Sequence, residues 1–238
     1  MNSVLRELNI RSPIFLALDI DDPLKAVALA KKLQGKVGGF KIGPRLLVRY
    51  GKDLVSEVQS CGPVFLDNKY LDIPTTMSAA VEACFETGAT LVTVHTWAGN
   101  DGLNACVEVE KKYRAKKPVR VLGVTVLTSF TSQNLPFPMR EFDITSQVEG
   151  LCQLGVECGL SGFVCSPHEV AKLRNIDKNS LLVTPGVRLS GGATHDQSRI
   201  MTPTQAIAKG ADILVIGRPL LEAMDPVAVA EQINAEIR

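Results

Sequence analysis

Short, unbroken apolar runs alternate with amphipathic stretches from one end of the chain to the other. The runs fall at residues 14–18, 39–42, 64–66, 89–94, 119–126, 162–165, 181–184 and 213–216. Because they are continuous rather than alternating in polarity, they read as strands buried on both faces of a parallel sheet. The stretches between them carry helix-start signals. Asp22-Pro23, Pro74-Thr75-Thr76, Thr202-Pro203-Thr204 and Asp225-Pro226 each place proline at a first helical turn. Leu24, Val27, Ala28 and Leu33 are expected to form the apolar stripe of the first such helix. Gly35, Gly88, Gly159 and Gly210 stand where helices should stop.

Eight strands alternating with helices over 238 residues are the signature of an α/β TIM (β/α)8 barrel, read here as a single domain over residues 1–238. A doubly wound open sheet is the competing arrangement, since strand count does not prove closure. The lack of a Gly-x-Gly-x-x-Gly after the first run counts against that arrangement. No repeat, linker or low-complexity segment interrupts the pattern.

Charge narrows the partners. With 26 basic and 25 acidic residues the formal net charge is +1, which gives no reason to expect nucleic acid or an anionic membrane. An anionic ligand must therefore be held by a few placed groups. The six cysteines form no C-x-x-C pair and are expected to be reduced and mostly buried, in a cytoplasmic protein. No stretch approaches the ~18 apolar residues that a bilayer requires. His95, His168 and His195 lie too far apart for metal-ligand spacing, so no metal is expected.

Barrel active sites form at the C-terminal ends of the strands. Here those ends carry Asp19, Lys41, Asp67 and Lys69, with Asp72 just beyond, then His95, Thr128-Ser129, Arg188 and Gly217-Arg218. Asp67 and Lys69, two apart and in phase with Phe65, are expected on the inward face. A solvated Asp–Lys pair is the alternative, but five ionisable groups of alternating sign converging on one mouth argue against it. At about 4 Å and an effective dielectric near 20, each pair is worth ~4 kcal/mol before desolvation. Lys69 held between carboxylates is an ammonium, a poor nucleophile and a good proton donor to a developing carbanion. That chemistry suits loss of CO2 better than imine chemistry. Near the chain's end, the glycine-bearing loop from Arg188 to Thr194, with Gln197 after it, precedes Gly217-Arg218-Pro219. This is the usual phosphate position of a TIM barrel, with Arg218 as a bidentate partner. A phosphate ester is the implied handle, and a solvent-facing Arg218 is the alternative.

These residues resemble the orotidine 5'-phosphate decarboxylases, and the bacterial branch of that family most closely. The resemblance spans the chain through Phe40-Lys41-Ile42-Gly43, Asp67-Asn68-Lys69-Tyr70-Leu71-Asp72-Ile73-Pro74, Val94-His95-Thr96 and Leu127-Thr128-Ser129. Thr184-Pro185-Gly186-Val187-Arg188, Asp196-Gln197-Ser198-Arg199-Ile200 and Gly217-Arg218-Pro219 complete it. The resemblance implies conversion of orotidine 5'-monophosphate to uridine 5'-monophosphate without a cofactor, in pyrimidine biosynthesis. It implies Lys69 as proton donor to C6, Asp67 beside the departing carboxylate, and a homodimer in which Asp72 serves the partner's site. Asp19, Lys41, Thr76, Thr128, Ser129, Arg188, Gln197, Gly217 and Arg218 are implied as substrate-binding. Asn68, Leu71 and Thr75 depart from the family's pattern, and Asn68 should point away from the mouth, toward the helices. Two other readings are a Mg2+-dependent sugar-phosphate decarboxylase or aldolase of the same superfamily, and a non-catalytic nucleotide-binding protein on the same scaffold.

Overall fold

The structure is a computed structural model that describes residues 3–137, 139–187 and 201–237. Among these, parallel strands close into a barrel in chain order. They are β1 Ile14–Ala17, β2 Gly39–Ile42, β3 Val64–Tyr70, β4 Leu91–His95, β5 Arg120–Val124, β6 Gly162–Val164, β7 Leu181–Pro185 and β8 Ile213–Ile216. Closure is explicit, because β1 pairs with both β2 and β8, so no sheet edge is left and the open doubly wound sheet is excluded. Helix α1 (Ser3–Glu7) precedes the barrel. Around it come α2 (Pro23–Leu33), α3 (Pro44–Gln59), α4 (Pro74–Glu86), α5 (Gly99–Arg114), α6 (Ile144–Glu157) and α7 (Val170–Ile176). Then come α8 (Pro203–Ala208), α9 (Arg218–Leu221) and α10 (Pro226–Glu236). No helix among the described residues is long and apolar enough to cross a membrane.

Two apolar layers hold the barrel. Inside, Phe15, Ala17, Phe65, Leu91, Leu122, Val124, Leu181, Val183 and Ile213 pack as one cluster. Outside, the residues of opposite parity, such as Ile14, Leu16, Phe40 and Leu66, pack against the helices. Most strands are therefore apolar on both faces over the body of the barrel, with polar residues entering toward the mouth, which is why the runs show little alternation.

The N-terminal segment seals the bottom. Leu5, Leu8 and Ile10 join the interior cluster, each at most 3% exposed. Glu7 at the end of α1 pins the seal by pairing with Arg120 at the start of β5 (2.7 Å) and with Arg114 (3.0 Å). Burial alone raises the Glu7 pKa, but the two guanidiniums outweigh it and hold the carboxyl below its ordinary value. The floor is thus packed, and the cavity lies at the opposite end, at the C-terminal ends of the strands.

The helix starts follow the sequence signals. Asp22 and Asp225 accept backbone N–H bonds ahead of Pro23 and Pro226, and Thr202 with Gln205 closes a capping box. The four helix-stop glycines all adopt positive φ. The stripe of α2 is a correction. Val27 and Leu33 are buried, but Leu24 is 80% exposed and Ala28 is also exposed, while Ala26 and Ala30 face the core. Small alanines let the helix approach the barrel closely, so the larger Leu24 is turned to solvent. All six cysteines are free, and five are buried.

The bottom seal makes a stability prediction. Leu8→Ala leaves a cavity under the barrel and should cost roughly 2–5 kcal/mol, read as a lower urea midpoint at unchanged slope. A loss under about 0.5 kcal/mol would show that α1 is a surface ornament.

Candidate active site

The mouth of the barrel opens into a cavity of about 550 Å³, within the range of small-molecule sites. Its lining brings together Asp19, Lys41, Asp67, Lys69, Thr128, Ser129, Gly217 and Arg218, from five different strand ends or the loops that follow them. Phe65, Val124, Val164 and Val215 form the apolar floor beneath them.

Four of these side chains form a row of alternating charge. Lys41 Nζ lies 2.9 Å from Asp19 Oδ1 and 3.7 Å from Asp67 Oδ2, and Lys69 Nζ lies 2.9 Å from Asp67 Oδ1. The two inner members are well buried, the Lys41 side chain 10% exposed and that of Asp67 13%. Neither could be removed without stranding a neighbour, which for a buried pair costs roughly 3–5 kcal/mol. The ends are more open, with the Lys69 side chain 34% exposed and that of Asp19 52%. Lys69 is therefore both tethered and accessible.

β3 reaches the mouth irregularly. Leu66 pairs with Val92 but Tyr70 with Val94, so β3 uses four residues where β4 uses two. Within this bulge Lys69 takes φ +52°, a left-handed backbone that costs a non-glycine residue on the order of 1–3 kcal/mol. Asp67 and Lys69 do both face the cavity, but strand alternation is not what carries Lys69 there. On the bulge's other face, Asn68 Nδ2 donates to Tyr70 Oη (2.6 Å), which lies 3.4 Å from Cys84 Sγ on α4. Asn68 thus points toward the helices. Burial, with the Cys84 contact, pushes the Tyr70 hydroxyl up to about 12.

Two residues that sequence reasoning passed over belong to the same region. Thr93 on β4 is fully buried, accepts the Lys69 backbone N–H (2.9 Å) and donates to Asp67 Oδ1 (3.1 Å). Its signal was a hydroxyl inside an apolar run, in inward phase with Leu91. Arg45, in the first turn of α3, lines the cavity and donates to the Asp19 backbone carbonyl (3.0 Å). Its position just after Gly43-Pro44, where a strand hands over to a helix, could have marked it.

Asp72 and Thr76 lie outside the cavity. Both are exposed, and Asp72 Oδ1 accepts the N–H of Ile73 (2.7 Å). Leu71, Ile73 and Trp97 beside them are 56%, 64% and 44% exposed, an apolar rim on this side of the mouth. Arg188 and Gln197 lie outside the described residues. Among the described residues no group of three or more His, Cys, Asp or Glu is placed to hold a metal ion.

Comparison with known proteins is consistent over nearly the whole chain. The family model described as "Orotidine 5'-phosphate decarboxylase / HUMPS family" matches residues 12–233. An orotidine 5'-phosphate decarboxylase of Paramagnetospirillum magneticum is 38% identical over 231 residues, 95% of this chain and 98% of the relative. One from Syntrophotalea carbinolica is 40% identical over 233 residues, 95% of each chain. The crystal structure of orotidine 5'-phosphate decarboxylase from Lactobacillus acidophilus superposes with a TM-score of 0.80 at 31% identity, covering 96% of this chain and all of that one.

His95, at the end of β4, gives the site a pH signature. Burial, then the Lys69 charge, lowers its pKa below 6.5, and its buried Nδ1 has no hydrogen-bond partner among the described residues. A histidine depressed on folding contributes stability above its unfolded pKa that is lost as pH falls through the folded value. Thermal unfolding from pH 7.5 downward should therefore show a loss beginning near 6.5. His95→Gln should flatten that loss. An unchanged profile in the variant would assign the loss to other groups.

Proposed function

The chain belongs to the orotidine 5'-phosphate decarboxylase / HUMPS family, and from that premise we propose that it decarboxylates orotidine 5'-monophosphate to uridine 5'-monophosphate in pyrimidine biosynthesis. The observation that carries this reading is the alternating Asp19–Lys41–Asp67–Lys69 row in a cavity that also holds Arg218, which follows β8, three strands around the ring from the β3 that carries Lys69.

In this reading Arg218 and the Gly217 backbone take the phosphate, with Arg188 and Gln197. Asp19 and Lys41 take ribose hydroxyls, and Thr128 and Ser129 face the pyrimidine. The substrate's C6 carboxylate then lies beside Asp67. The C6–carboxylate bond breaks, CO2 leaves, and the electron pair stays on C6. The Lys69 ammonium stabilises that pair, gives C6 its proton and is reprotonated by solvent. Enzymes supply ~8–23 kcal/mol of barrier lowering, and a carbanion with so little resonance relief needs the upper part of that range. A fixed ammonium facing developing negative charge in a cavity floored by apolar side chains is the effect able to supply most of it. Phosphate contacts raise kcat only if their binding energy organises the site rather than merely tightening substrate binding. No cofactor enters this scheme. Six free cysteines fit the reducing cytoplasm where such an enzyme would work.

The exposed Asp72 points the reading to a homodimer. Its carboxylate contributes nothing to its own cavity, while Leu71, Ile73 and Trp97 offer an apolar rim beside it. In a symmetric dimer Asp72 would enter the partner's site and complete the charge row there, with Thr76 on the same edge.

Lys69→Ala should lower kcat by at least about a thousandfold, at least ~4 kcal/mol of transition-state stabilisation. Turnover within a few-fold of wild type would reject Lys69 as the acid. Mixing Lys69→Ala with Asp72→Asn subunits tests the sharing. Random reassortment restores one intact site in half of the dimers, roughly a quarter of wild-type activity. Recovery of none would place Asp72 in its own subunit's site.

A further inference from the structure

We propose that Thr93 is the positioning residue of this site, fixing through one hydroxyl both the backbone from which Lys69 projects and the carboxylate that Lys69 faces. The inference rests on the reading of Lys69 as the acid, and goes beyond it by naming what sets that acid's geometry.

The bulge in β3 creates the need. Between the Leu66–Val92 and Tyr70–Val94 pairs, two extra residues break the backbone register, so the N–H of Lys69 has no regular ladder acceptor. Thr93 lies between those two partners on β4 and supplies a side-chain acceptor instead, Oγ1 at 2.9 Å from that N–H. A threonine hydroxyl has one proton, and here it is directed to Asp67 Oδ1 at 3.1 Å. Asp67 then has its orientation set by Lys69 Nζ and Thr93 at Oδ1 and by Lys41 at Oδ2. The direction of each bond is thus fixed: Lys69 N–H to Thr93, Thr93 to Asp67, and the ammonium of Lys69 back to Asp67. The loop closes on one residue, joining the backbone and the tip of Lys69 through two side chains.

Thr93 suits this task for two physical reasons. It is 0% exposed, so water cannot replace the hydroxyl for either partner. It is also β-branched, and its restricted χ1 gives the hydroxyl a defined location. Without the hydroxyl, the left-handed backbone at Lys69 loses its tie and can relax toward the ordinary β region, carrying the ammonium with it. The phosphate contacts of Gly217 and Arg218 lie just after β8, across the barrel from β4, so substrate affinity should change little.

The test compares Thr93→Val, which keeps the branched shape and removes the hydroxyl, with Thr93→Ser, which keeps the hydroxyl. Thr93→Val should lower kcat roughly a hundredfold, the order expected for a displacement near 1 Å, with KM and the Kd for uridine 5'-monophosphate within about threefold. Thr93→Ser should stay within about fivefold of wild type in kcat. A purely structural role would lower the unfolding midpoint of both variants and leave kcat per folded subunit alike, which would overturn the proposal. If Thr93→Val does not fold, Thr93→Ala against Thr93→Ser must show the same separation in kcat, and equal values overturn it. A wild type that turns over substrate while Thr93→Val keeps full kcat defeats this inference alone. A wild type without turnover defeats both this inference and the reading it rests on.

Discussion

At the mouth of the barrel, the Asp67 carboxylate is the one group that touches every other member of the charge row except Asp19. One oxygen accepts from the Lys69 ammonium and from Thr93, and the other faces Lys41. Two lysines can be held this close in a partly buried site only because that anion lies between them. A buried charge without its partner costs several kcal/mol, so the row stands or falls together. Its geometry is consequently set before any substrate arrives, which is what electrostatic preorganisation requires. The accessible Lys69 end points this fixed field into the cavity, and the half-exposed Asp19 end opens to solvent.

The remaining structure supports that arrangement. A closed barrel gives each strand two bonded neighbours, so its ends hold their positions without free edges. The α1 seal at the floor and the packed interior layer beneath Phe65 and Val124 keep water out from below. The strained backbone at Lys69 persists because β4 over-determines it, through ladder pairs on both sides of the bulge and Thr93 within it. Strain at the chemical group and regular packing elsewhere are two parts of one design.

Much of this was legible in the sequence, for reasons that can be named. The strands of a parallel barrel are apolar on both faces, so eight continuous runs stood out, and their order fixed which residues meet at the mouth. The phase of α2 was misread because Ala26 and Ala30 carry little hydrophobic signal although they make the close contact, while the larger Leu24 is turned to solvent. Helix α1 is too short to show a period. The β3 bulge was invisible because alternation assumes an uninterrupted ladder, and register is a property of two strands together. Thr93 was hidden for the same reason, since its worth depends on a partner 24 residues earlier. For Asp72 the sequence pointed to the neighbouring subunit by resemblance, and a single chain places it only as an exposed group at the rim.

The central claim is that this charge row decarboxylates orotidine 5'-monophosphate by fixed electrostatics and one proton donor. The most direct test follows loss of orotate absorbance with purified enzyme before and after treatment with EDTA. The account predicts turnover that chelation does not change. No turnover, or activity that EDTA abolishes and Mg2+ restores, would contradict it and favour the metal-dependent sugar-phosphate chemistry of the superfamily.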